Sequence, residues 1–89
     1  MVSIKILERA EKCLARMGRT EAQRIMDFLY NRVARLDDPT LIGKPLKGNL
    51  SEYWCYRVGD YRLFCRLSDD GEALLVLVVE IGHRREVYK

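Results

Sequence analysis

Cysteine and histidine are scarce in this chain, and with them go the commonest ways of holding a metal or stapling a small fold. Cys13, Cys55 and Cys65 are an odd number without paired-ligand spacing, and His83 is the sole histidine, so no zinc site is expected. The three thiols read instead as small buried or half-buried side chains. Long apolar runs are also missing: none approaches the roughly 20 residues that cross a bilayer. Charge interrupts the opening Met1-Val2-Ser3-Ile4-Lys5-Ile6 too early for a secretory signal. A cytoplasmic protein away from the membrane is therefore expected. Repeats, low-complexity tracts and composition shifts are lacking, so residues 1–89 read as a single domain. Nor is there a block of one sign: the 16 Lys/Arg and 13 Asp/Glu are spread through both halves for a net charge of +3. Such a balance matters only where the fold gathers it on one surface.

What the chain does have is a strong hairpin signal over Tyr53–Leu67. Two β-prone segments flank Gly59-Asp60, a pair suited to a tight turn. A two-residue loop sets Val58 opposite Tyr61, Arg57 opposite Arg62, Cys55 opposite Phe64 and Tyr53 opposite Arg66. Alternation then sorts the side chains onto two faces. Trp54, Tyr56, Val58, Tyr61, Leu63, Cys65 and Leu67 share an apolar face, which puts Cys55 and Cys65 on opposite sides. Arg57, Arg62, Phe64 and Arg66 share the other face with Tyr53 and Cys55. Like charges directly opposite each other destabilise a sheet, so the Arg57/Arg62 pair points to a phosphate or an acidic partner.

The rest of the chain builds around that hairpin. Val2, Ile4 and Ile6 alternate with polar residues as a short strand. Leu7, Ala10, Leu14 and Met17 then recur at helical spacing up to Gly18. Thr20-Glu21-Ala22-Gln23 has the form of a capping box. It opens a second helix with Ala22, Ile25, Met26, Leu29, Val33 and Leu36 on one face, which Asp37-Asp38-Pro39 ends. The short joint predicts an antiparallel helix pair; its mixed charges read as a solvated face. Residues 37–52 read as a loop, Ser68–Gly71 as a turn, and Ala73–Ile81 as a strand buried on both faces, central in the sheet and broken by Gly82. The class is α+β. An N-terminal strand and a two-helix hairpin precede a three-stranded antiparallel meander, and the helices lie on one face of the sheet.

Three stretches carry a resemblance: Leu46-Lys47-Gly48, Tyr56-Arg57-Val58-Gly59-Asp60-Tyr61-Arg62-Leu63, and Gly82-His83-Arg84-Arg85-Glu86-Val87-Tyr88. Together they resemble the RelE/ParE superfamily, the toxic halves of bacterial type II toxin–antitoxin pairs, over nearly the whole chain. The ending is more similar to the RelE branch, which cleaves messenger RNA in the ribosome; the ParE branch, which poisons DNA gyrase, shares the fold. A degenerate toxin that only binds its antitoxin is the third reading. The resemblance implies an RelE-like domain, an acidic RelB-like antitoxin in a hetero-oligomer, the ribosome and mRNA as further partners, and no cofactor. Cleavage of this kind drives a ribose 2′-OH onto the adjacent phosphorus, and a charged arginine fork suits the phosphorane that forms. By resemblance, Arg62, Arg84, Tyr88 and Arg57 form the catalytic set, with Lys44, Lys47, Phe64, Arg66, His83 and Arg85 against the RNA. The chain departs from the family at Tyr53 and Cys55, where relatives carry basic residues. The general base is thereby left open among Lys47, Glu80 and His83.

Overall fold

In a computed structural model that describes residues 2–46, 53–69 and 74–83, the alternating opening segment forms β1 (Val2–Ile6). The Leu7 N–H donates to the Val78 carbonyl at 3.0 Å before the chain turns into α1 (Glu8–Met17). Glu8 and Glu11 in its first turn and Arg16 in its last complement the helix dipole. α2 (Arg19–Asn31) follows after Gly18, and a 3-10 turn, Val33–Arg35, continues its direction. Two expectations are corrected here. The capping box does not form, because Gly18 is itself the N-cap and Thr20 already lies inside the first turn; Gln23 Nε2 donates to Asp27 Oδ1 at 2.8 Å instead. The second helix also stops at Asn31 rather than Leu36, although the tighter turn still buries Val33.

The remaining strands are β2 (Lys44–Pro45), β3 (Trp54–Val58), β4 (Tyr61–Asp69) and β5 (Leu74–His83). All five form one sheet in the order β1-β5-β4-β3-β2. The antiparallel meander is β3-β4-β5, as the pattern predicts. β1 adds in parallel along the outer edge of β5, and β2 is a two-residue strand within the stretch that reads as loop. β5 is thus an interior strand, but β4 is the central one. Gly82 does not end β5, since pairing continues to His83 opposite Tyr61. The expected strand start at Ala73 and the turn residues Asp70-Gly71 lie outside the described residues. Both sheet edges are blunted: β1 carries the exposed Ser3 and Lys5, and β2 is very short and contains Pro45, which has no N–H to offer.

The helices cover one face of the sheet. Ala10, Ile25, Leu29 and Val33 are buried against Tyr56, Val58, Leu63, Cys65, Val76, Val78 and Ile81. Burying side chains of this size stabilises by about 1.5–3 kcal/mol each, far more than any surface pair supplies. Tyr56 also reaches through the core to anchor the loop behind α2. Its hydroxyl donates to the Pro39 carbonyl at 2.6 Å, and its ring meets Phe28 edge-on at 5.9 Å. Trp54 Nε1 donates to the Ile42 carbonyl at 2.9 Å. Between these anchors Gly43 has φ +78°, and a Cβ there would sit 2.6 Å from the Cys55 carbonyl oxygen and 2.7 Å from Trp54 Nε1. The loop lies on β3 because this position has no side chain.

Gly43→Ala should therefore cost about 2–4 kcal/mol, the sum of backbone strain and forced repacking. Gly59→Ala, also at positive φ but with its nearest neighbour at 3.6 Å, should cost about 1–2 kcal/mol. Urea unfolding midpoints of the two variants check the order; equal losses would show that the loop does not press on β3.

Candidate functional site

The site grows from strand register. β3 and β4 pair through Val58↔Tyr61, Arg57↔Arg62 and Cys55↔Phe64, the two-residue turn expected from the sequence. Gly59 has φ +58°, and no described non-glycine residue has a positive φ. The turn is thus of the II′ pattern, with glycine first. Opposed residues share a face, so pairing can be followed across the sheet. One row runs Arg57, Arg62, Gly82 and the next runs Lys44, Cys55, Phe64, Glu80. Neighbouring strands lie about 4.8 Å apart. These side chains therefore share a patch on the face away from the helical core. Arg66 lies one row further on the same face, opposite Leu77.

β5 reaches this arrangement through an irregularity. Phe64 pairs with Glu80 but Cys65 pairs with Val78, which leaves Val79 as an extra residue, a β-bulge. Val76 and Val78 point into the core, and strict alternation would send Glu80 after them. The bulge turns Glu80 to the other face and lets Ile81 take the buried position, where it is 5% exposed.

Two cavities flank Arg62. The larger, about 650 Å³, lies between α1 and the sheet and is lined by Arg9, Lys12, Arg16, Arg62, Phe64 and Glu80, with Gly82 opposite Arg62. The three α1 cations fall at helical spacing, so they form one exposed stripe along the rim of this cavity, with Lys12 Nζ 3.5 Å from Glu8 Oε1. Glu80 is the one carboxylate among the described residues of that lining, and its Oε1 lies 3.9 Å from Arg9 Nη1. Both partners are well exposed, so the pair contributes at most about 1 kcal/mol. The smaller cavity, about 300 Å³, is lined by Arg32, Lys44, Arg57 and Arg62 together with Phe28 and Cys55, with no carboxylate among its described residues. Cys55 lies on the charged face yet is only 4% exposed. Burial pushes its thiol up, while Arg62 and Lys44 pull it back less strongly. It is therefore a neutral wall of the cavity rather than a nucleophile. Tyr56 behind it is likewise raised well above the usual phenol range by burial. Arrays of cations on both sides of a central arginine can bind successive phosphates of an extended polyanion.

The family model for the ParE toxin of the type II toxin–antitoxin system parDE matches residues 4–88. The chain is a type II toxin of the RelE/ParE superfamily. Toxin RelG of Mycobacterium tuberculosis is 31% identical over 65 residues, which are 73% of this chain and 70% of RelG. The fold is similar to the toxin–antitoxin complex RelBE2 from the same organism (TM-score 0.76, 23% identity, 92% of this chain and 90% of that one). It is also similar to a YoeB/ParE toxin from Agrobacterium tumefaciens (0.66, 19%, 91% and 97%). YafQ from Escherichia coli superposes over the full length of both chains (0.60, 18%).

Of the residues the sequence singles out in this toxin, the structure brings Arg62, Arg57, Lys44 and Phe64 together, with Arg66 on the same face. It does not bring His83 to them. His83 pairs with Tyr61 on the helix side, where the two rings meet edge-on at 5.1 Å, beside Cys13, Arg16 and Met17. Lys47, Arg84, Arg85 and Tyr88 lie outside the described residues. Sequence reasoning missed Arg9, Lys12 and Arg16, which it took for a solvated face, and Arg32 at the end of α2. The available signal was the helical spacing of the three α1 cations. Among the described residues no cluster of three His, Cys, Asp or Glu side chains is placed to hold a metal, and no helix is long and apolar enough to cross a membrane.

Thiol chemistry checks the burial of the site's wall. Iodoacetamide at pH 8 should modify half-buried Cys13 and spare Cys55 and Cys65 until urea unfolds the toxin, as read by peptide mass spectrometry. Burial raises the Cys65 thiol from 9.0 to about 12, so the unfolded chain loses that proton first. This contribution to stability is complete below about pH 9 and is lost as pH rises toward 12. Rapid native labelling of Cys55 would contradict the assigned packing.

Proposed function

We propose that this toxin is a ribosome-dependent endonuclease that cleaves messenger RNA by attack of a ribose 2′-OH on the neighbouring phosphorus. The observation that carries the reading is the position of Arg62, the one arginine that lines both cavities, with cations on either side and Phe64 beside it. The RelE-like ending, Gly82–Tyr88, supports the same branch. In the proposed complex Arg62 binds the scissile phosphate. Its planar fork meets the extra negative charge of the phosphorane better than that of the ground state, and this difference is what accelerates the reaction. Phe64 offers a face on which a base stacks. Lys44, Arg57 and Arg32 hold the backbone on one side, and Arg9, Lys12 and Arg16 hold it on the other. Arg66 adds attraction at the rim. By resemblance, Arg84 and Tyr88 join Arg62 at the reacting groups, and Lys47 and Arg85 join the RNA-binding set. His83, turned toward Tyr61, is given no part in the reaction. The partner that silences the toxin is an antitoxin with an acidic, partly disordered segment that folds over this basic face.

A second reading has its own support. The matching family is described by its ParE member, and on the first strand of the hairpin this chain carries Tyr53 and Cys55 rather than basic residues. A gyrase inhibitor of the same fold would use the cationic face for binding alone. Inducing the toxin in cells separates the two. Endonuclease action gives mRNA cut within translated codons, whereas gyrase poisoning gives DNA damage with intact transcripts.

Arg62→Ala should remove growth arrest and lower the cleavage rate by about 10²–10³, the usual effect of losing a donor aimed at developing charge. Unfolding should show that the fold persists, since half-buried Arg62 lies outside the helical core and its loss should cost about 1 kcal/mol or less. Lys44→Ala should weaken ribosome binding, more so at high salt, and leave the rate of bound complexes near wild type. Full toxicity of Arg62→Ala would overturn the assignment and favour gyrase.

Naked mRNA should be cut far more slowly than ribosome-bound mRNA. So small a constellation gains from RNA held in reactive geometry, and positioning supplies about 7–11 kcal/mol of a barrier. Equal rates on both substrates would contradict ribosome dependence.

A further inference from the structure

The reaction needs a group that removes the 2′-OH proton, and neither Tyr53 nor the neutral, buried Cys55 supplies one. We infer that Glu80 is the general base, carried into the active cavity by the bulge at Val79. The inference rests on the endonuclease reading above and names a residue which that reading leaves open.

Three observations converge on it. First, Glu80 is the single carboxylate among the described residues that line the larger cavity. Second, register sets its distance from the arginine: Arg62 faces Gly82, and Glu80 lies diagonally from Arg62, next to Phe64. Diagonal neighbours on adjacent antiparallel strands stand about 7–8 Å apart. A sugar-phosphate unit fits between two side chains so placed, with its phosphate on the guanidinium and its ribose on the carboxylate. Gly82, which also lines the cavity, adds no side chain between them. Third, the bulge exists at this residue. Without it Glu80 would follow Val76 and Val78 into the core, where an unpaired carboxylate is costly. Bulges recur next to active sites because they re-aim one side chain. His83, the other acid–base candidate within the described residues, points to the opposite side of the sheet.

The step balances as follows. A Glu80 carboxylate oxygen takes the 2′-OH proton, and O2′ forms a bond to phosphorus while Arg62 bears the phosphorane charge. The P–O5′ bond breaks, O5′ takes a proton from water, and the hydroxide left behind returns Glu80 to its ionised form. The products are a 2′,3′-cyclic phosphate and a 5′-hydroxyl end. This direction of attack puts the nucleotide on the 5′ side of the scissile phosphate in the larger cavity, with its base on Phe64. The 3′ continuation runs over Lys44, Arg57 and Arg32 in the smaller one. The 3.9 Å contact with Arg9 holds the carboxylate at the cavity wall, which makes Arg9 a positioning residue.

The test is single-turnover cleavage of ribosome-bound mRNA by the purified full-length toxin between pH 5 and 8, with ribosome affinity measured by co-sedimentation. Glu80→Gln keeps shape and hydrogen bonding but cannot accept the proton. It should cut at least about 100-fold more slowly, the low end of general-base effects, with ribosome affinity unchanged within about twofold. Glu80→Asp should retain intermediate activity. Among the described residues, the charged or titratable groups facing Glu80 are Arg9, Lys12, Cys13 and Arg16 from α1, Arg62 from β4, and Tyr53 ahead of β3. None of them is a carboxylate. Glu11→Gln, an exposed α1 carboxylate outside the cavity, should match wild type. Wild-type cleavage that persists within about threefold in Glu80→Gln overturns the base assignment and leaves the endonuclease reading standing. Wild type that cuts no ribosome-bound mRNA overturns both.

Discussion

Two arginines face each other across the β3–β4 hairpin, and the register that puts them there organises the rest of the molecule. Like charges in directly opposed positions cost a few tenths to about 1 kcal/mol. A slip of one residue would part Arg57 from Arg62, but it would also turn Tyr56, Leu63 and Cys65 out of the core. Each large apolar side chain in that set contributes about 1.5–3 kcal/mol by its burial, so the repulsion never competes. The core holds the two like charges opposite each other across the hairpin. This is also why the site belongs on a strand rather than on a loop. The side that fixes the geometry and the side that meets the ligand are opposite faces of the same few residues.

The same division explains which parts were legible in the sequence. The hairpin was readable because period-two alternation and a Gly59-Asp60 turn are local signals that agree with each other. The helices were readable from their stripes, except at their ends. The Thr20–Gln23 pattern was overridden because Gly18 already reverses the chain and starts the helix. Parallel pairing of β1 with β5 joins residues 2–6 to residues 74–78, and nothing local in either segment names its partner. The bulge was hidden for a different reason. In Leu74-Leu75-Val76-Leu77-Val78-Val79 every position is apolar, so alternation is absent where the register shifts. Only the charge at Glu80 marked that an inward-pointing residue would be untenable there.

The α1 stripe shows how charge that looks idle in sequence gains a role by placement. Arg9, Lys12 and Arg16 alternate with Glu8 and Glu11 along the helix, and as a string they read as an ordinary solvated surface. β1 stops at Ile6, opposite Val78, while β5 continues to His83. α1 therefore packs alongside the end of β5 that β1 leaves uncovered, and the stripe comes to line the larger cavity. The early end of β1 thus does for the helix what the bulge does for Glu80: each brings a charged side chain to the arginine face.

The two cavities differ in a way that a simple basic patch would not. Among the described residues each is lined by four cations and by at least one aromatic ring, but only the larger also carries a carboxylate. A surface evolved only to attract a polyanion gains nothing from a carboxylate at the centre of its larger pocket, since that group repels phosphate and weakens the field. A surface that must also move a proton needs such a group, close to the phosphate but not on it. Arg62 at the boundary and Glu80 one diagonal step away meet both conditions. The asymmetry between the cavities is therefore what the proposed endonuclease reading accounts for and a purely binding surface does not.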